Sequence, residues 1–307
     1  MIKLFNIPDY KIDSSSFDHL LHGEIVDTIE TKFAKYVGAK YACMANSASS
    51  LLFLALKQYN NTTVSIPSTM PIVVPNAIVN AGHLIEFYDD VGWVGNCYRL
   101  YDKIFDSAQE VTKNQYRILS DNEAEIIYSF YPTKPIGGCD GGMIVSNNKD
   151  KIDYYRTMII NGTIINKDSW RREHVAAGFK MHCNSFQAYF ALKGLEKLDE
   201  KNEILDKIRS IYNNKLGYKN TSRHLYRIHT KNNKDFINTM KEKGIQCGIH
   251  YQHCHDNKPY ENYQSNDESS LTLSELESNR TVSIPYHEKL KKTDVEKVIK
   301  NVKSIEN

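Results

Sequence analysis

Three polar groups stand at the ends of apolar runs. Asp106 closes KIFDS (103–107), and Ser129 and Lys134 follow the run EIIYSFYP (125–132). Ala48 and Ser49 lie in NSASS (46–50), where the apolar run 40–45 passes into LLFLALKQY. In open α/β sheets, ligands bind outside the carboxyl ends of the strands. A lysine, a carboxylate and a serine-rich helix start are together the groups that pyridoxal phosphate (PLP) requires. Its aldehyde needs an amine for a Schiff base, and its pyridine nitrogen needs a carboxylate so that the ring stays protonated and draws electrons. Its phosphate needs backbone N–H groups at a helix N-terminus, plus hydroxyls. Lys134, Asp106, and the set Ala48, Ser49 and Ser129 supply these in turn. Gly137, Gly138, Gly141 and Gly142 follow the lysine and let backbone pass near a ligand. Each feature alone has a plainer reading: a solvated lysine, an Asp helix cap, serine caps. Their co-occurrence in this order is the stronger signal.

The elements that must position these groups alternate between strand and helix. Residues 22–37 place Ile25, Ile29, Phe33 and Tyr36 on one helical face, and Gly38 can end the helix. The run 40–45 reads as a buried strand and LLFLALKQY as a helix capped from NSASS. VSIP (64–67) and HLIEFYDD (83–90) read as strands with the helix PNAIVNAG between them. KIFDS, EIIYSFYP and GGMIVSN (141–147) are further strands, and 150–160 and 184–216 are helical. After residue 217 come strand HLYRIHT, helix KDFINTMKEKG, strands IQCGIHYQ and TVSIP, and a closing helix that Thr293 can cap. Residues 255–275 read as a loop. This order predicts an α/β layered fold: a large domain over 1–216 with a mostly parallel sheet flanked by helices, and a small α+β domain over 217–307.

The bulk composition excludes several classes. At 307 residues, 41% hydrophobic, the chain can bury a large core, and a net charge of +2 does not mark a nucleic-acid binder. No stretch approaches the roughly 18 apolar residues of a membrane span, and the N-terminus lacks a signal-peptide layout. The six scattered cysteines include no CxxC pair and read as free thiols of a cytoplasmic protein. His250, His253, Cys254 and His255, with Cys247, lack the second ligand pair of a zinc site, so no metal is expected. A strand leading into a substrate loop explains them better. Trp170, Arg171 and Arg172 suit either a solvated loop or contact with a base and diphosphate.

On these motifs the chain resembles the DegT/DnrJ/StrS family of nucleotide-sugar aminotransferases, enzymes of PLP fold type I. EIVDTIETKFAKYVGAKYACMANSAS (24–49) resembles the family's opening helix, strand and phosphate turn. FDSAQ (105–109) resembles its EDAAQ motif, and SFYPTKPIGGCDGGMIVSN (129–147) its lysine segment. GFKMHCNSFQAYFALKGLEKLD (178–199), HLYRI, GIHYQHCH and the final SIP are similar to its later landmarks.

The resemblance implies that Lys134 carries the cofactor and moves the proton, Asp106 pairs with the pyridine nitrogen, and Gln109 lies by the ring hydroxyl. It implies that Ser129, Ala48 and Ser49 hold the phosphate. Lys180 and His182 would reach the cofactor of the other subunit of a homodimer with shared active sites, and His255 would face the sugar. The implied reaction transfers an amino group from an amino acid, L-glutamate by expectation, to a keto sugar on a nucleotide diphosphate, for glycan or surface-polysaccharide synthesis. Two alternatives are a dehydratase-like PLP enzyme and a non-catalytic homodimer. The retained lysine argues against the first, and the intact set Lys134, Asp106, Gln109 and Ser129 against the second.

Two departures from the family stand out. Several dozen residues are missing between the strand before Asp89 and the strand ending at Asp106, leaving only 90–103. A gap inside a sheet leaves backbone groups unpaired, so either the neighbours close up or WVGNCYRLY supplies a substitute strand. Pro71 also stands where the family places a ring-stacking aromatic.

Overall fold

The computed structural model describes residues 1–21, 23–118, 123–165, 172–264 and 271–306. In chain order the elements begin with helix α1 (Glu24–Val37), strand β1 (Tyr41–Ala45) and helix α2 (Ala48–Leu56). Then come β2 (Thr63–Pro67), α3 (Val73–Ala81), β3 (Leu84–Tyr88), β4 (Tyr98–Tyr101) and β5 (Ile104–Asp106). The short α4 (Gln115–Ile118) precedes β6 (Glu125–Ser129), β7 (Gly142–Ser146) and α5 (Lys149–Met158). A hairpin of β8 (Thr163–Ile165) and β9 (Arg172–His174) leads to α6 (Ser185–Glu196) and α7 (Leu198–Leu216). The chain closes with β10 (Tyr226–His229), α8 (Asn233–Glu242), α9 (Thr272–Arg280), β11 (Thr281–Ile284) and α10 (Lys292–Glu306).

Two compact units result. One comprises residues 8–60 and 97–196, and the other 1–7, 61–96 and 197–307. This division differs from a single boundary at 216/217. Helix α7 packs with α10, and Leu205, Ile208 and Tyr212 share a core with Tyr226, Phe236, Val282 and Val298. The antiparallel β10–β11 pair lies in that core. The parallel pair β2–β3 belongs to the same unit.

The first unit is built on a five-stranded sheet in the order β1-β7-β6-β5-β4. Strands β6 and β7 are buried at every position. Their continuous apolar runs are what a strand covered on both faces requires. Helix α1 buries Ile25, Ile29, Phe33 and Val37 as one stripe and packs on β1. Phe33 meets the rings of Tyr128 at 4.9 Å and Phe130 at 5.4 Å. Gly38 (φ +82°) ends α1 with its N–H on Ala34 O at 2.9 Å.

Four expectations need correction. The sheet is mixed rather than mostly parallel: β5 and β6 pair in parallel, but β7 runs antiparallel to both β1 and β6, and β4 antiparallel to β5. IQCGIHYQ is not a strand; Gly248 exchanges backbone bonds with Ser283, and the flanking residues make only isolated bridges. The segment 255–275 is not all loop. It contains a 3₁₀ turn, Lys258–Tyr263, and the start of α9. Helix α9 has no apolar stripe to betray it, because it buries Ser274, Glu277 and Ser278 while Leu273 and Leu276 are exposed. Asp89 supplies its cap, accepting from Leu273 N at 2.8 Å and Ser274 N at 2.7 Å. Finally, the 184–216 run is two helices, α6 and α7, separated at Lys197.

WVGNCYRLY does supply a strand. Its last four residues form β4, which pairs with β5 and covers the edge that the shortened connection would otherwise leave open.

Candidate active site

Strands β5 and β6 are parallel, so they open at the same end. Asp106 is the Cα partner of Ile127, and the ladder continues with Ser107 N on Ile127 O at 2.8 Å. Ser129 lies two residues further along β6. Asp106 is buried. Its Oδ1 accepts from Ala108 N and its Oδ2 from the Tyr98 hydroxyl, each at 2.8 Å. Burial pushes the carboxyl above its ordinary pKa, while those two donors and the charge of Lys134 pull it back toward the anion. Gln109 is buried in the turn after β5. That turn is pinned by Glu110 N on Ser107 O at 3.3 Å and by Gln115 Nε2 on Ser107 Oγ at 2.7 Å.

Lys134 sits in the loop that leaves β6 and returns to β7. Lys134 N bonds Tyr131 O at 2.9 Å, Gly138 N bonds Phe130 O at 2.8 Å, and Phe130 N bonds Gly141 O at 2.9 Å. Gly141 closes this loop at φ +118°, a conformation open to glycine alone among common residues. Burial of the Lys134 ammonium lowers its pKa to about 8, and the Asp106 charge opposes that fall. At pH 7 about a tenth of the amine is therefore unprotonated, far more than for an exposed lysine.

Helix α2 starts beside this loop. Ser47 is its N-cap, with Oγ accepting from Ser50 N at 3.1 Å. The cap serves Ser50 and leaves the amides of Ala48 and Ser49 without intrahelical acceptors. A Cβ on Gly142 would lie 2.4 Å from Ala48 N, so only a glycine lets β7 and the helix start meet this closely. Gly142 is also the cross-strand partner of Ser129. The Ser129 hydroxyl, which accepts from Tyr131 N at 3.3 Å, and the amide end of α2 therefore flank the same glycine. On its other side the turn is held by Asn46 N on Met181 O at 2.8 Å and Gln187 Nε2 on Asn46 O at 3.0 Å.

The remaining predicted residues flank the turn before α2 or lie in the other unit. Lys180 is exposed and bridges Ile160 through its backbone. His182 bridges Ala45 and is half-buried, its pKa lowered by burial and by the charge of Lys180. It lines a cavity of about 650 Å³ with Glu30, Cys43, Arg156, Ile160 and Cys183. In the other unit, His255 Nδ1 shares a hydrogen bond of 2.6 Å with Ser68 Oγ, and its ring lies 4.8 Å from that of His253. Pro71, in the same unit, accepts from Val74 N at 3.0 Å at the start of α3. Trp170 and Arg171 lie outside the described residues; Arg172 is exposed on β9.

Sequence reading does not single out Tyr98. The signal available was alternation in the remnant CYRLY, but the partner strand and register that give it meaning are not local properties.

This is the fold of a PLP-class sugar aminotransferase. The sugar aminotransferase CalS13 of Micromonospora echinospora matches over 99% of this chain and 100% of its own, with a TM-score of 0.81 at 16% identity. Helicobacter pylori PseC, an aminotransferase of pseudoaminic acid biosynthesis, matches over 98% and 99%, with a TM-score of 0.79 at 16% identity. The chain belongs to the DegT/DnrJ/EryC1/StrS aminotransferase family, whose profile matches residues 12–89 and 104–303. The profile passes over 90–103, the stretch that holds β4. A UDP-4-amino-4,6-dideoxy-N-acetyl-beta-L-altrosamine transaminase of Campylobacter jejuni is 25% identical over 338 residues, covering 90% of this chain and 88% of that protein. The GDP-perosamine synthase of Caulobacter vibrioides is 22% identical over 335 residues, covering 90% and 89%.

Proposed function

We propose that this aminotransferase uses PLP to move an amino group from L-glutamate to a keto sugar on a nucleotide diphosphate, as a cytoplasmic step toward a glycan or surface polysaccharide. The observation that carries the reading is the half-buried Lys134, whose amine is desolvated and in the field of the buried Asp106 carboxylate, in the unit where Ser129 and the first residues of α2 flank Gly142. The relatives that act on UDP- and GDP-linked sugars support the substrate class.

The donor set fits the cofactor. Asp106 keeps lone pairs beyond its two hydrogen bonds for a ring N–H. The amides of Ala48 and Ser49 with the Ser129 hydroxyl suit a phosphate. PLP supplies, when bound, an electron sink for charge developing on the carbon that bears the amine. The chain's own groups do the rest. Asp106 keeps the proton on the ring nitrogen. Lys134 Nζ would hold the cofactor's aldehyde and, when free, would be the base that moves the proton from the amino donor's α-carbon. Gln109 is assigned to the ring hydroxyl and His255 to the sugar. Lys180 and His182 reach into the site of the partner subunit of a homodimer.

The test is an absorbance spectrum of PLP-loaded protein before and after L-glutamate, with Lys134→Ala alongside. The expected result is a visible lysine-bound band that glutamate converts to a shorter-wavelength band, both absent in the variant. Retention of no PLP, or full turnover by Lys134→Ala, would remove the proposal.

A further inference from the structure

Strand β4 lies in the stretch that the family profile passes over, and its first residue meets Asp106. Tyr98 and Asp106 are direct Cα partners across the antiparallel β4–β5 pair. Directly opposed residues project to the same face. The next pair, Arg99 and Phe105, projects to the other face, with the guanidinium 5.7 Å from the ring centroid. The register then shifts between Arg99 and Tyr101, so the regular pairing is confined to the end of the strand that carries Tyr98. The entry to β4 is fixed as well, by Cys97 N on Glu110 Oε2 at 2.8 Å.

We propose that Tyr98 is a positioning residue for the cofactor's carboxylate: its hydroxyl fixes Asp106 Oδ2 and so sets how firmly the ring nitrogen is held. This rests on the reading of Asp106 as the partner of the PLP nitrogen. The residue comes from the one internal stretch that the family profile passes over, so it belongs to this compact chain rather than to the common pattern. A carboxylate with one oxygen on a backbone N–H and the other on a rigid phenol cannot rotate about its Cβ–Cγ bond without losing a bond. An O–H donor also favours the anion over the neutral acid, against the burial that favours the acid. Only the anion keeps the ring nitrogen protonated. Without the phenol, Asp106 is looser and its anion less favoured, so the proton between it and the ring nitrogen lies nearer the carboxylate.

The experiment uses the full chain without PLP and two non-covalent probes, pyridoxine 5′-phosphate and its 1-deaza analogue, in which a C–H replaces the ring nitrogen. Dissociation constants are measured for the native protein, Tyr98→Phe, Asp106→Asn and the double variant, with thermal melts to check folding. Tyr98→Phe is expected to weaken pyridoxine 5′-phosphate by about tenfold. It should leave the deaza analogue unchanged and add nothing in the Asp106→Asn background. Equal loss for both probes would mean that Tyr98 only supports packing, and no loss for either would mean that it does not act on Asp106. Both outcomes overturn the proposal while Asp106→Asn still separates the probes. If Asp106→Asn fails to separate them, the assignment of Asp106 itself falls, and the role of Tyr98 with it.

Discussion

Gly142 and Ala48 meet backbone to backbone: a Cβ on the glycine would lie 2.4 Å from Ala48 N and 2.6 Å from Ala48 Cα. Neither atom belongs to a side chain that can swing aside. The contact sets the depth at which the α2 amides sit beside the end of β6, where Ser129 is the cross-strand partner of Gly142. Gly142→Ala should therefore push α2 away from β7. The expected cost is about 2–3 kcal/mol of folding stability, as for an overpacked core site, with a larger proportional loss of phosphate-ester affinity. Urea unfolding and pyridoxine 5′-phosphate binding measure the two. Unchanged binding in a folded variant would mean that the amides of Ala48 and Ser49 do not hold the phosphate.

The lowered pKa of Lys134 predicts the pH dependence of cofactor capture. Only the neutral amine attacks an aldehyde. A lysine whose pKa is about 8 loses its proton as pH rises through that value, well below the 10.5 of an exposed lysine. The rate of PLP uptake by the empty protein should climb between about pH 7 and 9 and level off above about 9. Stopped-flow absorbance records it. A rate that keeps climbing to pH 10 would show an amine that is not buried.

The same shift has a stability sign. Burial disfavours the charged amine, so in the cofactor-free protein Lys134 binds its proton more weakly when folded than when unfolded. Its contribution opposes folding below pH 8 and vanishes as pH rises through 10.5. Lys134→Met should thus stabilise the empty protein at pH 7 and lose that advantage by pH 10.5. Paired denaturation curves at the two pH values decide this.

Glu30 is buried between Met44 N at 2.8 Å and Arg156 at 2.7 Å. Burial raises the Glu30 pKa and the guanidinium pulls it down. Arg156→Met removes that counter-charge. Because the arginine is partly exposed, the expected loss is about 2 kcal/mol rather than the larger cost of breaking a fully buried pair. A carboxyl with a raised folded pKa is most stable protonated, so the loss should grow as pH rises from 5 to 8. Equal losses at both values would mean that water already solvates Glu30.

If the active sites are shared, two inactive variants should rescue one another. Lys134→Ala mixed with the double variant Lys180→Ala/His182→Ala forms mixed dimers with one intact site. Turnover should recover to about one quarter of the native level at equal mixing. No recovery, in samples that sediment as exchanging dimers, would assign Lys180 and His182 to their own chain's site or to none.

What the sequence determined by itself is what local rules govern. Strands buried on both faces must be continuous apolar runs, so KIFDS and EIIYSFYP announced β5 and β6, and the polar residues closing them announced Asp106 and Ser129. A cap is a matter of a few adjacent residues, so NSASS announced the start of α2. The position of Lys134, five residues past Ser129 and just before a glycine turn, was legible in the same way.

Tertiary structure alone decided the rest. A four-residue strand has too short a period to declare its direction or partner, so the antiparallel register that lays Tyr98 on Asp106 could not be read from CYRLY. Helix α9 stayed hidden because it buries serines and a glutamate, inverting the pattern on which helix reading depends. The proton affinity of Lys134 follows from burial and from a charge 28 positions earlier in the chain, and neither is a property of the residue or its neighbours in sequence. Pairing, register and desolvation arise from segments distant in the chain, and they exist only once the chain has folded.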